Sequence, residues 1–169
     1  MEALGRLCDI VAGVAPLDLQ TARTGVRVHM KNASSAMVVV FKGAGTAGDD
    51  PTITLKQHTA STSGTSANLS IIDHYYLKKA TSLAGSETWT RYTQSAAATI
   101  VDPGGATTSA EEQQILVIHV DGAELSDGYE WISLDTTDTG SNAQLGAVLY
   151  LLCDLTVQRA PANLANPQA

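Results

Sequence analysis

From about residue 24 almost to the C-terminus, apolar side chains recur with a period of two. Val26, Val28 and Met30 alternate with Arg27, His29 and Lys31, the pattern of a strand with one dry face and one wet face. Ile53 and Leu55 share one face of the segment 52–56, and Tyr129, Trp131 and Ser133 alternate with Glu130, Ile132 and Leu134. Other segments are apolar almost throughout. Residues 36–42 (AMVVVFK) form a β-branched run that reads as a central strand covered on both faces. Residues 115–120 (ILVIHV) are a second strongly apolar strand, and 145–153 a long one. Segments 71–79 and 88–93 are further strand candidates, carrying Tyr75, Tyr76, Trp89 and Tyr92.

Turn chemistry separates these segments. Residues 59–68 (TASTSGTSAN) and 135–142 (DTTDTGSN) are polar loops, and Pro103-Gly104-Gly105 is a turn. This gives about eight or nine short strands with turn signals between them, the pattern of an all-β sandwich or barrel. Helices of crossover length are missing, which disfavours a parallel α/β fold. The expected fold is an antiparallel β-sandwich, jelly-roll-like. One short helix is expected near 109–114, because Ser109 and Glu112 have the spacing of a capping box. Near the N-terminus Leu4, Leu7, Cys8 and Val11 fall at helical spacing. Residues 1–22 are therefore expected to be a short amphipathic helix, limited by Pro16, or an arm that docks on a neighbour. Residues 23–156 form the sandwich, and 157–169, with two prolines and little core material, form a tail.

The chain of 169 residues suits one domain and can bury a core without disulfides or metals. Its charged fraction is 16%, below the usual ~25%, with small Thr, Ser, Ala and Gly in place of charge. The net charge is −7, and the 10 basic residues form no cluster beyond Lys78-Lys79. Neutralising phosphates requires a basic face, so nucleic acid is not an expected partner. No apolar stretch approaches the ~20 residues of a membrane span, and the first residues lack the basic and apolar parts of a secretory leader. The chain is expected to fold in a cytoplasm. Cys8 and Cys153 then read as small buried hydrophobes in a reducing compartment, or alternatively as a disulfide tying the N-terminal segment to the last strand.

Several motifs suggest chemistry and lack its context. Gly43, Gly45 and Gly48 match G-x-G-x-x-G after a strand, but Asp49, Asp50 and Pro51 follow where a phosphate-binding helix would begin. Asp135, Asp138, Gly140 and Asn142 resemble a calcium loop without the spacing or flanking helices of an EF-hand. Paired carboxylates at Asp49-Asp50 are more simply turn formers. His29, His58, His74 and His119 form no metal-ligand spacing, and no C-x-x-C occurs. G-x-S-x-G is missing, although a dispersed Ser, His and Asp triad stays open. The expectation is a protein without cofactor, metal or catalytic residues, and not an enzyme.

Three segments resemble one group of proteins when taken together: residues 4–13 (LGRLCDIVAG) with Pro16 and Asp18-Leu19-Gln20 behind them, 40–55 (VFKGAGTAGDDPTITL) and 139–150 (TGSNAQLGAVLY). They are similar to small structural proteins that tailed bacteriophages and prophages encode near their head genes. The resemblance covers most of residues 1–155. It implies a virion component, a capsid decoration or cement protein that binds between major capsid subunits and assembles in the host cytoplasm. It also implies self-association, as a homotrimer. Leu4, Leu7, Ile10 and Val11 are the expected interface, buried on a partner, or alternatively a cap on the chain's own core. The alternatives are a tail-tube, connector or head-fibre-base subunit, and a glycan-binding module using Trp89, Trp131, Tyr75, Tyr76 and Tyr92.

Overall fold

The structure is a computed structural model that describes residues 3–105, 108–137 and 139–169. It is all-β, with two antiparallel sheets packed face to face. In chain order the strands are β1 (Cys8–Asp18), β2 (Val28–His29), β3 (Ala33–Lys42), β4 (Thr52–His58), β5 (Ser66–Asn68), β6 (Ile72–Ala80), β7 (Thr90–Ala97), β8 (Thr99–Val101), β9 (Gln113–Asp121), β10 (Trp131–Thr136) and β11 (Leu145–Leu155). One sheet has six strands in the order β1-β11-β3-β9-β6-β7. The other has the order β2-β10-β4-β5, with β8 also on β4. The chain passes from one sheet to the other between β7 and β8, at buried Ala98, whose carbonyl accepts the Leu55 amide.

The two sheets enclose one core. Val38, Val40, Leu116, Ile118 and Val148 face it from the six-stranded sheet, and Val28, Ile53, Leu55, Ile132 and Leu134 from the other. The period-two segments therefore do what their pattern requires, placing alternate side chains between the layers.

Two expectations are corrected. No helix forms near 109–114. Ser109 and Ala110 lie in a turn, and β9 begins at Gln113. The Ser109 hydroxyl donates to Asp50 Oδ1 at 2.9 Å, and the Ala110 amide donates to the same oxygen at 3.0 Å. Strand pairing of β9 on both sides outweighs the local cap. The capping box instead closes after that strand, where Asp121 and Glu124 exchange bonds around a single 3₁₀ turn, Gly122–Glu124.

At the N-terminus, β1 takes the place of the helix or free arm. It pairs with β11 from Cys8 opposite Cys153 to Asp18 opposite Leu145. The helical spacing was a coincidence of side-chain type. Register shifts between Ala12 and Val14 and between Val14 and Leu17 break the strand period that would have revealed it. The C-terminal segment also packs back on the domain. The Arg159 amide donates to the Gly5 carbonyl, and the His29 amide to the Pro167 carbonyl.

Candidate functional site

The six-stranded sheet has an apolar outer face as well as an apolar inner one. Cross-strand register puts Ala12, Leu149, Val39, Val117, Tyr76 and Arg91 in one row across all six strands. A second row holds Ile10, Leu151, Met37 and His119. A third holds Ala147, Phe41, Ile115 and Lys78. Phe41 is 53% exposed and Leu145, at the end of β11, 65% exposed. An open apolar groove continues the face past Pro16, Leu17 and Leu145.

The opposite sheet's outer face is polar, and part of it is buried. There Thr54, Lys56 and His58 lie beside Asp135 and Ser133. Lys56 and Asp135 form an ion pair at 2.7 Å. Trp131 is on that side too, but the His29 ring stacks on it at 4.2 Å between centroids. Arg27 secures the 59–66 loop nearby by donating to the carbonyls of Ala60 and Ser63. Antiparallel sheets usually keep one face wet and show clean alternation. Strands β3, β9 and β11 do not alternate, and none of the described residues covers their second apolar face.

The apolar part spans four strands, β1 to β9, at a spacing of about 4.8 Å, and about seven residues of about 3.4 Å each. That is roughly 20 by 23 Å, or about 450 Å² in projection, within the ~300–600 Å² range of the largest patch on a monomer and often functional there. Charge sits at its margins. Lys78 and Arg91 lie toward β6 and β7, and Asp121 ends β9. Lys78 Nζ rests 4.9 Å from the Trp89 ring centroid.

Of the expected interface residues, Val11 is a correction. It is 9% exposed and belongs to the core, opposite Tyr150. Leu4, Leu7 and Ile10 are exposed at 40%, 59% and 52%. Ile10 lies in the second apolar row, while Leu4 and Leu7 lie in the turn before β1. Phe41, Leu145, Leu149 and the other outward residues of β3, β9 and β11 were missed as an interface. Their signal was present as apolar runs without alternation.

His58 and Lys42 are engaged within the fold. His58 is buried between two hydroxyls, with Nε2 at 2.8 Å from Ser133 Oγ and Nδ1 at 2.8 Å from Ser66 Oγ. A catalytic triad needs a carboxylate where Ser66 stands. Burial, aided by the Arg27 charge, pulls the His58 pKa down to about 4, so the ring is neutral at pH 7. Lys42 is buried as well, and its Nζ donates to the carbonyls of Glu112 at 2.7 Å, Gly43 at 3.2 Å and Ala110 at 3.3 Å. Desolvation pulls its pKa down to about 8, opposed by Glu112, Asp50 and Glu111.

In the loop with the calcium-like pattern, Asp138 lies outside the described residues. Asn142 donates twice to Asp49 Oδ2, and Asp135 pairs with Lys56. Among the described residues no group of three or more His, Cys, Asp or Glu could hold a metal ion. The glycine-rich loop after β3 leads through Asp49 and Asp50 into β4. Tyr75 and Tyr92 stack on each other at 5.3 Å and Trp131 is covered by His29, while Tyr76 and Trp89 are exposed. No described helix is long and apolar enough to cross a membrane.

No protein-family model, curated protein or solved structure matches the chain.

Proposed function

We propose that this chain is a structural assembly subunit that works by burying the outer face of its six-stranded sheet against other protein chains. One observation carries the reading. Three strands in the middle of that sheet are apolar on both sides, and the described residues cover only one side. About 450 Å² on this chain, with as much on a partner, makes about 900 Å² in all, the size of a small, weak interface, and apolar burial across it is the driving force.

The segment resemblance to tailed-phage head proteins gives the reading its specific form, a capsid decoration or cement protein in the virion. Its partners are then the major capsid protein and further copies of itself, as a trimer. A low-charge, acidic surface with an apolar sheet face suits a subunit that packs on protein and not on nucleic acid.

The test is co-sedimentation of the purified chain with assembled capsids of a phage or prophage that encodes it, together with analytical ultracentrifugation of the chain alone. Binding to shells that Phe41→Glu abolishes, with the circular-dichroism spectrum unchanged, supports the proposal. A monomer that ignores shells overturns it. Six-membered rings under negative stain would favour the tail-tube alternative.

A further inference from the structure

Cys8 and Cys153 face each other directly across the β1–β11 pair. The backbone bonds around them fix what kind of pair it is. The Cys8 amide donates to the Ala3 carbonyl at 3.2 Å, and the Cys8 carbonyl accepts the Gly5 amide at 2.8 Å. Both polar groups of Cys8 thus turn away from β11. One position earlier, the Asp154 amide donates to the Leu7 carbonyl at 3.1 Å. Cys8 and Cys153 are therefore a non-hydrogen-bonded pair, the site in an antiparallel ladder where facing Cα atoms are closest, about 4.5 Å apart, and Cβ atoms approach most closely. That spacing falls within the range a disulfide spans. Both side chains are half-buried on the outer face, and both are free thiols. The Cys153 thiol is pushed up in pKa by burial and then by the closeness of Cys8.

We propose that Cys8 and Cys153 are a modification site: in an oxidising medium they close a cross-strand disulfide that fastens the edge strand β1 to β11. The chemistry balances with a small-molecule disulfide as oxidant. One cysteine thiolate attacks the oxidant's sulfur, forming a mixed disulfide and releasing one small thiol. The second cysteine attacks the mixed disulfide at the protein sulfur and releases the other small thiol. Two protein thiols become one disulfide, and the oxidant is reduced to two thiols.

The location gives the bond its effect. β1 is an edge strand of the sheet and carries two register shifts, so its strand pairing rests on β11. A link between residues 8 and 153 closes almost the whole domain into one loop, where the loss of unfolded-state entropy is greatest.

Incubating the folded, reduced chain with oxidised glutathione tests this. The expected product is an intact monomer lighter by two hydrogens, without a glutathione adduct and without titratable thiol. Its melting temperature should rise by about 5–10 °C and fall back on adding reductant. Cys8→Ser and Cys153→Ser should each lose that rise while melting like the reduced wild type. Stable glutathione adducts at both positions, dimers linked between chains, or two thiols that survive oxidation would overturn the proposal. A closed bond that lowers the melting temperature would overturn its fastening role.

Discussion

The hydroxyl of Tyr150, on the six-stranded sheet, accepts the amide hydrogen of Leu134, on the other sheet, at 2.8 Å. The bond crosses the core because the second sheet is short of strand at that point. β2 pairs only with Trp131 and Ile132, so the Leu134 amide lies beyond the end of its ladder. The phenol supplies the missing acceptor, and burial raises its pKa well above the usual tyrosine range. Gly13 and Gly25 make room for it. A Cβ on Gly13 would lie 2.6 Å from the ring, and one on Gly25 would lie 2.8 Å from the hydroxyl. Tyr150→Phe leaves a buried amide unpaired and should cost about 1–3 kcal/mol. Gly13→Ala should destabilise by overpacking, roughly 1–3 kcal/mol. Urea denaturation of both variants checks this, and a Tyr150→Phe midpoint equal to the wild type would contradict it.

The two faces of β3 should respond to charge in opposite ways. Val38 and Val39 are adjacent, one fully buried between the sheets and the other on the outer row with Leu149 and Val117. Val38→Asp places an unpaired carboxylate in the core and should prevent folding. Val39→Asp, paired with Phe41→Glu, should leave the fold intact and eliminate self-association. Circular dichroism with sedimentation equilibrium separates the two. Loss of fold in both variants would mean that the outer face is part of the chain's own core.

The contrast between these neighbours marks how far the sequence could be read. The alternating segments gave β4 and β10 within a few residues, because side-chain period alone sets which face is dry. Leu4, Leu7, Cys8 and Val11 mimicked a helix, and only pairing with β11 decides otherwise. The three-residue strands β5 and β8 carry no period to detect, and of the alternating run at 26–31 only Val28 and His29 pair, as β2. Ser109 to Glu112 and Asp121 to Glu124 offer the same capping chemistry, and tertiary pairing of Gln113 onward selects the second. The candidate face was legible as a loss of alternation in 36–42. Apolarity reports that both sides are covered, not whose atoms cover them.

His58 should make the fold acid-sensitive. Its pKa is about 4 when folded, below the ordinary 6.5, because burial disfavours the imidazolium. The unfolded chain then binds the proton more readily, so stability is full above pH 6.5 and declines as pH falls toward 4. His58→Gln, whose amide can still reach a serine hydroxyl, should flatten this part of the profile. Chemical denaturation at pH 7, 6, 5 and 4.5 measures it. Equal slopes for both proteins between pH 6.5 and 4.5 would show that His58 charges without cost.

Lys42 should act at the other end of the scale. Its ammonium is held by three backbone carbonyls beneath the turn of Ala110 and Glu112, and its pKa falls from the ordinary 10.5 to about 8 because burial penalises the charge. Between these values the folded chain has released a proton that the unfolded chain still holds. Stability contributed by this group therefore rises from pH 8 to 10.5. Lys42→Met removes that rise. At pH 7 the same change leaves carbonyls without their donor and should cost about 1–3 kcal/mol. The difference in unfolding free energy between wild type and Lys42→Met should thus widen from pH 7 to pH 10. A gap that stays constant would show that the amine keeps its proton in the fold and that its three carbonyls fully replace water.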